Sequence, residues 1–485
     1  MNTERPIIPS RRSLRTWFLV VLCIKSIWLI LFTLLRNPDW HPNFSSGLLA
    51  IFGGDTLTYY YPVEQILSSG QYYGMCRMPG ILPIYLPLRL VASEIIAHQL
   101  IIVLQLIFSS VAAVLLAILS ARAFQLQRAF IICILLSCAT TFVSIRDVYL
   151  LSDSFCISSL ITTVYFLSEY VLSKRKMQLV YAGIFLAWAI FLRQITILAV
   201  PVAGLFLLAQ LKWDLRKTLS SFFIVMIPIL LALGTWTLRN KITYGRTVIL
   251  VAPLNECMYN LTPELSAIRK LIITVGEDFQ PWVKGGGAYW FFNQPIENDS
   301  DFPFGTDDFT STMGEPEIRA LRNDYRLLSD TSLTSNEFDS LQQSVVSRAE
   351  SYSSSYAQEH ALNYHVGNKF RFAFHFLFPN RIDDIPFPPR NEMNFLQLGI
   401  KSWSLISLWL VHAFAICIVA VWLIKRNLKL LIWAMLPFSF VIALSYLGYI
   451  EQRYLATSFP FFLLMIAGTI AQWVDRYKKV NARQH

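Results

Sequence analysis

The chain is built from long apolar runs separated by short basic breaks. Runs of roughly 18 to 22 apolar residues, enough to carry a helix across about 30 Å of hydrocarbon, recur at about ten places. They lie near residues 17 to 35, 97 to 120, 128 to 145, 153 to 172, 178 to 192, 195 to 211, 219 to 237, 402 to 424, 429 to 449 and 455 to 474. Only Arg193 and Gln194 separate the fifth from the sixth, within YAGIFLAWAIFLRQITILAVPVAGLFLLAQ. Two intervals interrupt this rhythm: residues 36 to 96, and a polar stretch from 239 to 401 rich in Asp, Glu, Ser and Asn. In the second, Thr334 or Ser335 is a suitable cap for a helix whose apolar stripe runs through Phe338, Leu341, Val345 and Val346. The aromatic run after Lys369 suits a membrane interface.

The pattern predicts an all-α polytopic membrane protein with a large extracytoplasmic loop domain between the seventh and eighth spans. Its parts would be an N-terminal transmembrane module at 1 to 238, carrying a first outward loop at 36 to 96, an extracytoplasmic domain at 239 to 401, and C-terminal transmembrane helices at 402 to 485.

Composition agrees: 55% hydrophobic and only 15% charged residues exclude an ordinary soluble chain. The net charge of +10 raises the question of nucleic acid. The basic residues instead sit in short clusters between runs, RRSLR (11 to 15), ARAFQLQR (121 to 128), SKRK (173 to 176), KWDLRK (212 to 217), KRNLK (425 to 429) and DRYKK (475 to 479), and so occupy alternate loops. That is the positive-inside pattern, which places both termini in the cytoplasm, turns the remaining loops outward and leaves no nucleic-acid partner to invoke. The first run reads as an uncleaved anchor, because it is long enough to span and lacks a clear small-residue cleavage site. No Walker A loop, dinucleotide fingerprint, internal repeat or His/Cys metal array is present, which weighs against an ATP-driven pump. Of the seven cysteines, Cys23, Cys133, Cys138 and Cys417 lie in apolar runs, whereas Cys76, Cys156 and Cys257 could face an oxidising compartment with no spacing that fixes a bridge. Sequons at Asn43, Asn260 and Asn298 fall on the predicted outward side.

Ionisable residues at the ends of spans require a reason, since Asp or Arg at a helix centre costs on the order of 2.5 to 3.5 kcal/mol. The predicted outward ends collect Asp55, Arg77, Arg146, Asp147, Asp153, Arg193, Arg239, Glu451 and Arg453. Several have a plain structural alternative: Asp55 and Asp153 suit helix caps, Arg146, Arg239 and Arg453 can snorkel, and Asp147 can pair with Arg146. As a set, arginine forks beside carboxylates suit an anionic, lipid-linked substrate, with phosphate held by guanidinium and a carboxylate serving as base.

The ordered motifs carry a resemblance. GGDTLTYYYPVEQILSSGQYYGMCRMPGILPIYLPL, with Asp55, Tyr59, Tyr60, Arg77, Pro79 and Gly80, resembles the first outward loop of the polyprenyl-phosphate-sugar-dependent glycosyltransferases of the GT-C superfamily, the group of the protein O-mannosyltransferases and lipid A aminoarabinose transferases. YLLSDSFCISSL puts Asp153 where the second outward loop of that family carries its acid. AIFLRQITILAVP is similar to an Arg-Pro break with Gln194 in place of proline, WTLRNKITYGRTVIL resembles a Trp-x-x-Arg-Asn signature, and EQRYLATSFPFFLL resembles the closing Arg-Tyr. These matches cover most of the membrane region in order.

The resemblance implies an inverting transfer of a sugar from a polyprenyl-phosphate donor to an extracytoplasmic acceptor, in a multi-pass protein of a bacterial inner or plasma membrane. Asp55 would be the base and Asp153 would orient the acceptor. Arg77, Arg193, Arg239 and Arg453 would hold the phosphate, and Tyr59, Tyr60, Asp147 and Glu451 complete the substrate-binding candidates. No cofactor is fixed. A divalent metal is open, but Thr56 and Cys76 stand where many members carry further acids. A transporter or flippase for a lipid-linked anion is the alternative; it calls for deep charges and inverted repeats.

Overall fold

The computed structural model describes residues 8–37, 47–72, 74, 77–251, 262–277, 286–295, 302–382, 384–448 and 452–481. Regular structure among them is helical, and the extended pairings are the isolated bridges Ile51 with Tyr149 and Thr310 with Met313. Among the described residues, six helices are long and apolar enough to cross a membrane: α1 (Arg11–Leu35), α4 (Glu94–Phe124), α7 (Asp153–Ser173), α10 (Leu215–Tyr244), α16 (Phe395–Ile424) and α17 (Leu428–Tyr446). Between α1 and α4 lie α2 (Thr56–Ser69) and α3 (Leu82–Val91). The protein is therefore an all-helical, multi-pass membrane protein.

Four of the predicted runs are not single straight spans. The run at 128 to 145 divides into α5 (Gln127–Ala139) and α6 (Thr141–Ser144) with the turn that follows it, and the two parts are bent by 60°. Thr140 sits at the bend in an extended conformation, with its hydroxyl donating back to the Leu136 carbonyl at 2.9 Å. Counted as one bent span, the pair gives a seventh. The runs at 178 to 192 and 195 to 211 become α8 (Met177–Leu192) and a 3-10 turn leading into α9 (Ala199–Gln210). Arg193, again extended, separates them. At about 1.5 Å per residue, neither has the length of a span. The last run opens as a 3-10 turn, Gln452–Thr457, then continues as α18 (Phe459–Asn481). Its first half is buried from Phe459 to Gly468, packed against α4, α5 and α16, while Asp475, Arg476, Lys478 and Lys479 make its second half polar. Runs of apolar residues report burial; they do not report where a helix must stop to aim a side chain.

The chain divides into two compact units, one made of Met1–Val251, Phe378–Phe440 and Gln452–His485, the other of Ala252–Leu377 and Val441–Glu451. Residues 378 to 401, predicted as part of the polar domain, thus pack with the membrane helices. The second unit contains α11 (Pro263–Thr274), α12 (Gly287–Phe292), α13 (Glu315–Leu327), α14 (Ser335–Glu359) and α15 (Asn368–Leu377) around Ile268, Leu271, Trp290, Phe291, Leu321 and Val345. The Thr334 hydroxyl accepts from the Glu337 N–H and caps α14, as the capping-box sequence predicts. The buried face of α14 runs later than its predicted stripe, through Val345, Ala349, Tyr352 and Tyr356, because alanine and tyrosine pack well despite modest hydropathy.

In the membrane unit, α1 carries a lysine in mid-helix. Lys25 is buried and donates to Asp147 at 2.7 Å, while the hydroxyls of Ser109 on α4 and Ser154 on α7 donate to the same carboxylate at 2.8 and 2.6 Å. Asp147 is thus the meeting point of three helices. It does not pair with Arg146, its neighbour in sequence, and with Lys25, Ser109 and Ser154 it lines a cavity between the helices. Replacing Lys25 by Met should destabilise the protein by about 3 to 5 kcal/mol, because Asp147 is left charged and buried. The double replacement Lys25→Met with Asp147→Asn should be milder than Lys25→Met alone, as read by thermal unfolding in detergent.

Candidate functional site: an arginine cluster on Asp55

A short parallel contact fixes the two loops that carry the acids. Ile51 N–H donates to the Val148 carbonyl at 3.0 Å, and Leu150 N–H donates to the Ile51 carbonyl at 2.9 Å. From there the chain turns at Gly53, whose N–H bonds the Thr56 hydroxyl at 2.8 Å, and enters α2. Asp55 occupies the cap position of α2, yet its side chain makes no cap hydrogen bond. Its two oxygens instead face Arg77 at 3.2 Å and Arg453 at 2.5 Å. Asp55 is 6% exposed, so this carboxylate is committed to guanidinium rather than to the helix start.

Arg77 is steered by its neighbours. Its Nε donates to the Thr58 hydroxyl at 3.0 Å, and its guanidinium lies over the Tyr59 ring at 4.7 Å. The Arg-x-Pro-Gly turn can reach this position because Gly80 lies against the end of α8. A Cβ there would fall 2.5 Å from the backbone of Phe191 and Leu192, and Trp188 donates to the Gly80 carbonyl at 2.9 Å. Arg193, the next residue along, forms an ion pair with Asp153, the first residue of α7, and both are buried. The Arg193 and Arg453 guanidiniums lie over the same Tyr454 ring, at 5.1 and 5.6 Å. Asp55, Asp153, Arg77, Arg193 and Arg453 are therefore brought together from segments far apart in sequence. Three guanidiniums face two carboxylates, leaving an excess of positive charge suited to an anion.

Burial pushes the Asp55 carboxyl up, but Arg453, Arg77 and Arg193 together outweigh it and hold the group down at about 2, against an ordinary 3.8.

The other candidates are placed differently. Arg239 stands among Tyr72, Trp236 and Tyr244, with centroids 5.4, 5.2 and 5.0 Å away, and it donates to the Gly74 carbonyl and to Asn240. It reaches the cluster indirectly, through Tyr72, whose hydroxyl donates to the Arg77 carbonyl at 3.1 Å. The Trp and Asn of its motif hold the following turn, Trp236 donating to the Leu250 carbonyl and Asn240 to that of Val248. Tyr59 faces Arg77, whereas Tyr60 is buried edge-on against Tyr85 and His98, at 4.7 and 5.5 Å. Cys156 is a buried free thiol within α7. Glu451, Cys76, Cys257 and the sequons at Asn43, Asn260 and Asn298 lie outside the described residues.

Two residues escaped the sequence reasoning. Lys25 had a signal, a lone lysine inside an apolar run. Asp384 had none beyond its setting in RIDDIPFPP. Arg146 donates to its Oδ2 at 2.7 Å, and the Tyr149 hydroxyl donates to its backbone carbonyl at 2.7 Å. Burial raises the Asp384 carboxyl, but Arg146, then Arg453 and Arg193, bring it below the usual range. Among the described residues no three His, Cys, Asp or Glu side chains gather to hold a metal ion. Asp55 and Asp153 each face arginine, whose charge opposes a cation.

The fold and site define a multi-pass, all-helical membrane protein with a cluster of arginines gathered on a buried aspartate. No protein-family model matches the chain, and no curated protein matches it. Among solved structures, it is similar to the archaeal oligosaccharyltransferase AglB from Archaeoglobus fulgidus, in complex with an inhibitory peptide and a dolichol-phosphate. The identity is 12% and the TM-score 0.48, over 98% of this chain and 52% of that one. The chain thus spans about half the length of that protein.

Because its folded pKa is depressed, Asp55 contributes stability above its unfolded pKa and loses it as pH falls from about 4 toward 2; the shift corresponds to about 2 kcal/mol. The stability difference between wild type and Asp55→Asn in detergent should stay constant above pH 5 and shrink below pH 4. A difference that instead titrates near pH 6 would contradict the pairing.

Proposed function

We propose that this protein is an inverting glycosyltransferase that moves a sugar from a polyprenyl-phosphate carrier to a hydroxyl or amine acceptor on the extracytoplasmic side of the membrane. The observation that carries the reading is the Asp55 carboxylate held by Arg77 and Arg453, with Arg193 behind them.

An apolar cleft supports the same reading. It is lined by Leu160 and Leu167 of α7, Val202, Ala203 and Phe206 of α9, Trp433 of α17 and Phe461 of α18. Three of these helices begin at the charged cluster: α7 starts at Asp153, α9 follows Arg193, and α18 follows Arg453. Leu160 and Leu167 lie about 10 and 21 Å along α7 from Asp153. A single ligand with an anionic head and a long apolar tail satisfies both places, and a polyprenyl phosphate has that form.

In the transfer step, the acceptor oxygen or nitrogen bonds the anomeric carbon, and the bond from that carbon to the phosphate oxygen breaks. The electron pair leaves with the polyprenyl phosphate, where Arg77, Arg193 and Arg453 stabilise it. Asp55 takes the acceptor proton. A carboxylate held at about 2 is a weak base, and the donor corrects this: as its phosphate draws the guanidiniums, Asp55 loses the charges that depress it. Asp153 acts through Arg193, keeping that buried guanidinium in place.

The test is transfer of labelled sugar from a panel of polyprenyl-phosphate sugars in membranes carrying equal amounts of wild type or Asp55→Asn. One donor should be consumed by the wild type, with the rate falling about 10²-fold or more in the variant. A fully active variant would remove Asp55 from the reaction. Filling the cleft with Ala203→Phe should raise the concentration of long-chain donor needed for half-maximal rate; a donor with a truncated tail should be far less affected.

A further inference from the structure

We infer that Asp384 receives the acceptor: its carboxylate accepts a hydrogen bond from the O–H or N–H of the incoming nucleophile and orients it beside the sugar phosphate. The assignment rests on reading the Asp55 cluster as a sugar-phosphate transfer site.

Three carboxylates share the field of the arginines, and they differ in access. The Asp153 side chain is 3% exposed and committed to Arg193. That of Asp55 is 9% exposed, with an arginine on each oxygen. Asp384 is the most open of the three, with 26% of its side chain exposed. Its ion pair is one-sided. Arg146, itself 1% exposed and lying over the Phe142 ring, engages Oδ2, while Oδ1 takes no partner among the described residues.

The other open groups of the cluster are Arg77 and Arg453, at 25% and 15%. The partly exposed charges that a ligand of the cluster can reach are therefore two guanidiniums and one carboxylate. The guanidiniums suit the phosphate. A carboxylate repels it, so an open one beside an anion site is useful only to a partner that donates hydrogen bonds, and the nucleophile is such a partner. Arg146 offsets enough of the Asp384 charge for the donor to bind nearby.

Asp384 is also held in advance. The Tyr149 hydroxyl bonds its carbonyl, Asn37 N–H donates to the Pro386 carbonyl at 2.7 Å, and Phe387 packs on Phe32 of α1. On the other side, Gln452, adjacent to Arg453, donates to the Arg381 carbonyl at 2.5 Å. A group fixed on both flanks can orient a ligand without first being ordered by it.

The experiment uses the full chain in lipid nanodiscs, with the donor found in the transfer assay, an alkyl glycoside and an alkylamine as probe acceptors, and direct binding of unglycosylated polyprenyl phosphate. Asp384→Asn should raise the half-saturating concentration of the probe acceptor about tenfold or more, the scale of a lost hydrogen bond to a charged group. The half-saturating donor concentration and the Kd for polyprenyl phosphate should stay within about twofold. Arg146→Gln, which keeps the Asp384 carboxylate, should leave acceptor half-saturation nearer to wild type than Asp384→Asn does. If Asp384 merely braces Arg146, both variants will weaken polyprenyl-phosphate binding and raise donor and acceptor requirements together, which overturns the assignment. An active wild type with an unchanged Asp384→Asn overturns it as well. A wild type that neither binds polyprenyl phosphate nor moves sugar overturns the transfer reading itself, and the Asp384 assignment falls with it.

Discussion

A charge inside an apolar helical bundle must be matched, and the arrangement of this protein follows from how it matches them. Stripping water from an ion costs several kcal/mol, a cost offset only by an opposite charge and good hydrogen bonds. Four acids of the membrane unit meet that condition with five basic partners: Asp147 with Lys25, Asp153 with Arg193, Asp55 with Arg77 and Arg453, and Asp384 with Arg146. Each pair joins segments distant in sequence. The Asp147 contact sets α1 against α4 and α7, and the Asp153 contact sets the start of α7 against the end of α8. Loops that would otherwise be free to wander are thereby fixed around Asp55.

Helix breaks do the aiming. A continuous helix places side chains at 100° steps and cannot direct one along its own axis, whereas an extended residue at a break can. Thr140 allows the bend that precedes Arg146 and Asp147, and Arg193 is itself the break between α8 and the turn before α9. Arg453 lies in a 3-10 turn just before α18. Gly80 contributes in a different way, since a side chain there would collide with the Phe191 backbone and hold the Arg77 turn away from α8.

Much of this was legible in the sequence, and the limits have physical causes. Helices were readable because long apolar runs have few other uses, and Arg193 marked a true break. Spans were harder: α8, α9 and α18 are as apolar as a span over part of their length, but the sequence does not say how far a helix continues. The Asp55, Arg77, Arg193 and Arg453 set was readable as charges out of place in apolar surroundings. Asp384 was not, because in a polar stretch an acid is unremarkable until the fold carries it to Arg146. Asp147 misled for the reason that its neighbour Arg146 was the nearest opposite charge in sequence, whereas Lys25 is the nearest in space.

The matched charges also bear on selectivity. Among the cluster residues Arg77, Arg193, Arg453, Asp55 and Asp153, positive charge exceeds negative by one, so an entering phosphate can be bound without removing any existing partner completely. A neutral lipid offers the arginines nothing in exchange for Asp55 and leaves that carboxylate in its paired, weakly basic state. An anionic headgroup competes for the same guanidiniums, and in doing so raises the basicity of the one carboxylate that both arginines had restrained. In the proposed reaction, donor binding and activation of Asp55 as the base would be a single electrostatic event. On that reading, the ion pairs that hold the cluster together are the same contacts that would restrain Asp55 until an anionic donor draws the arginines.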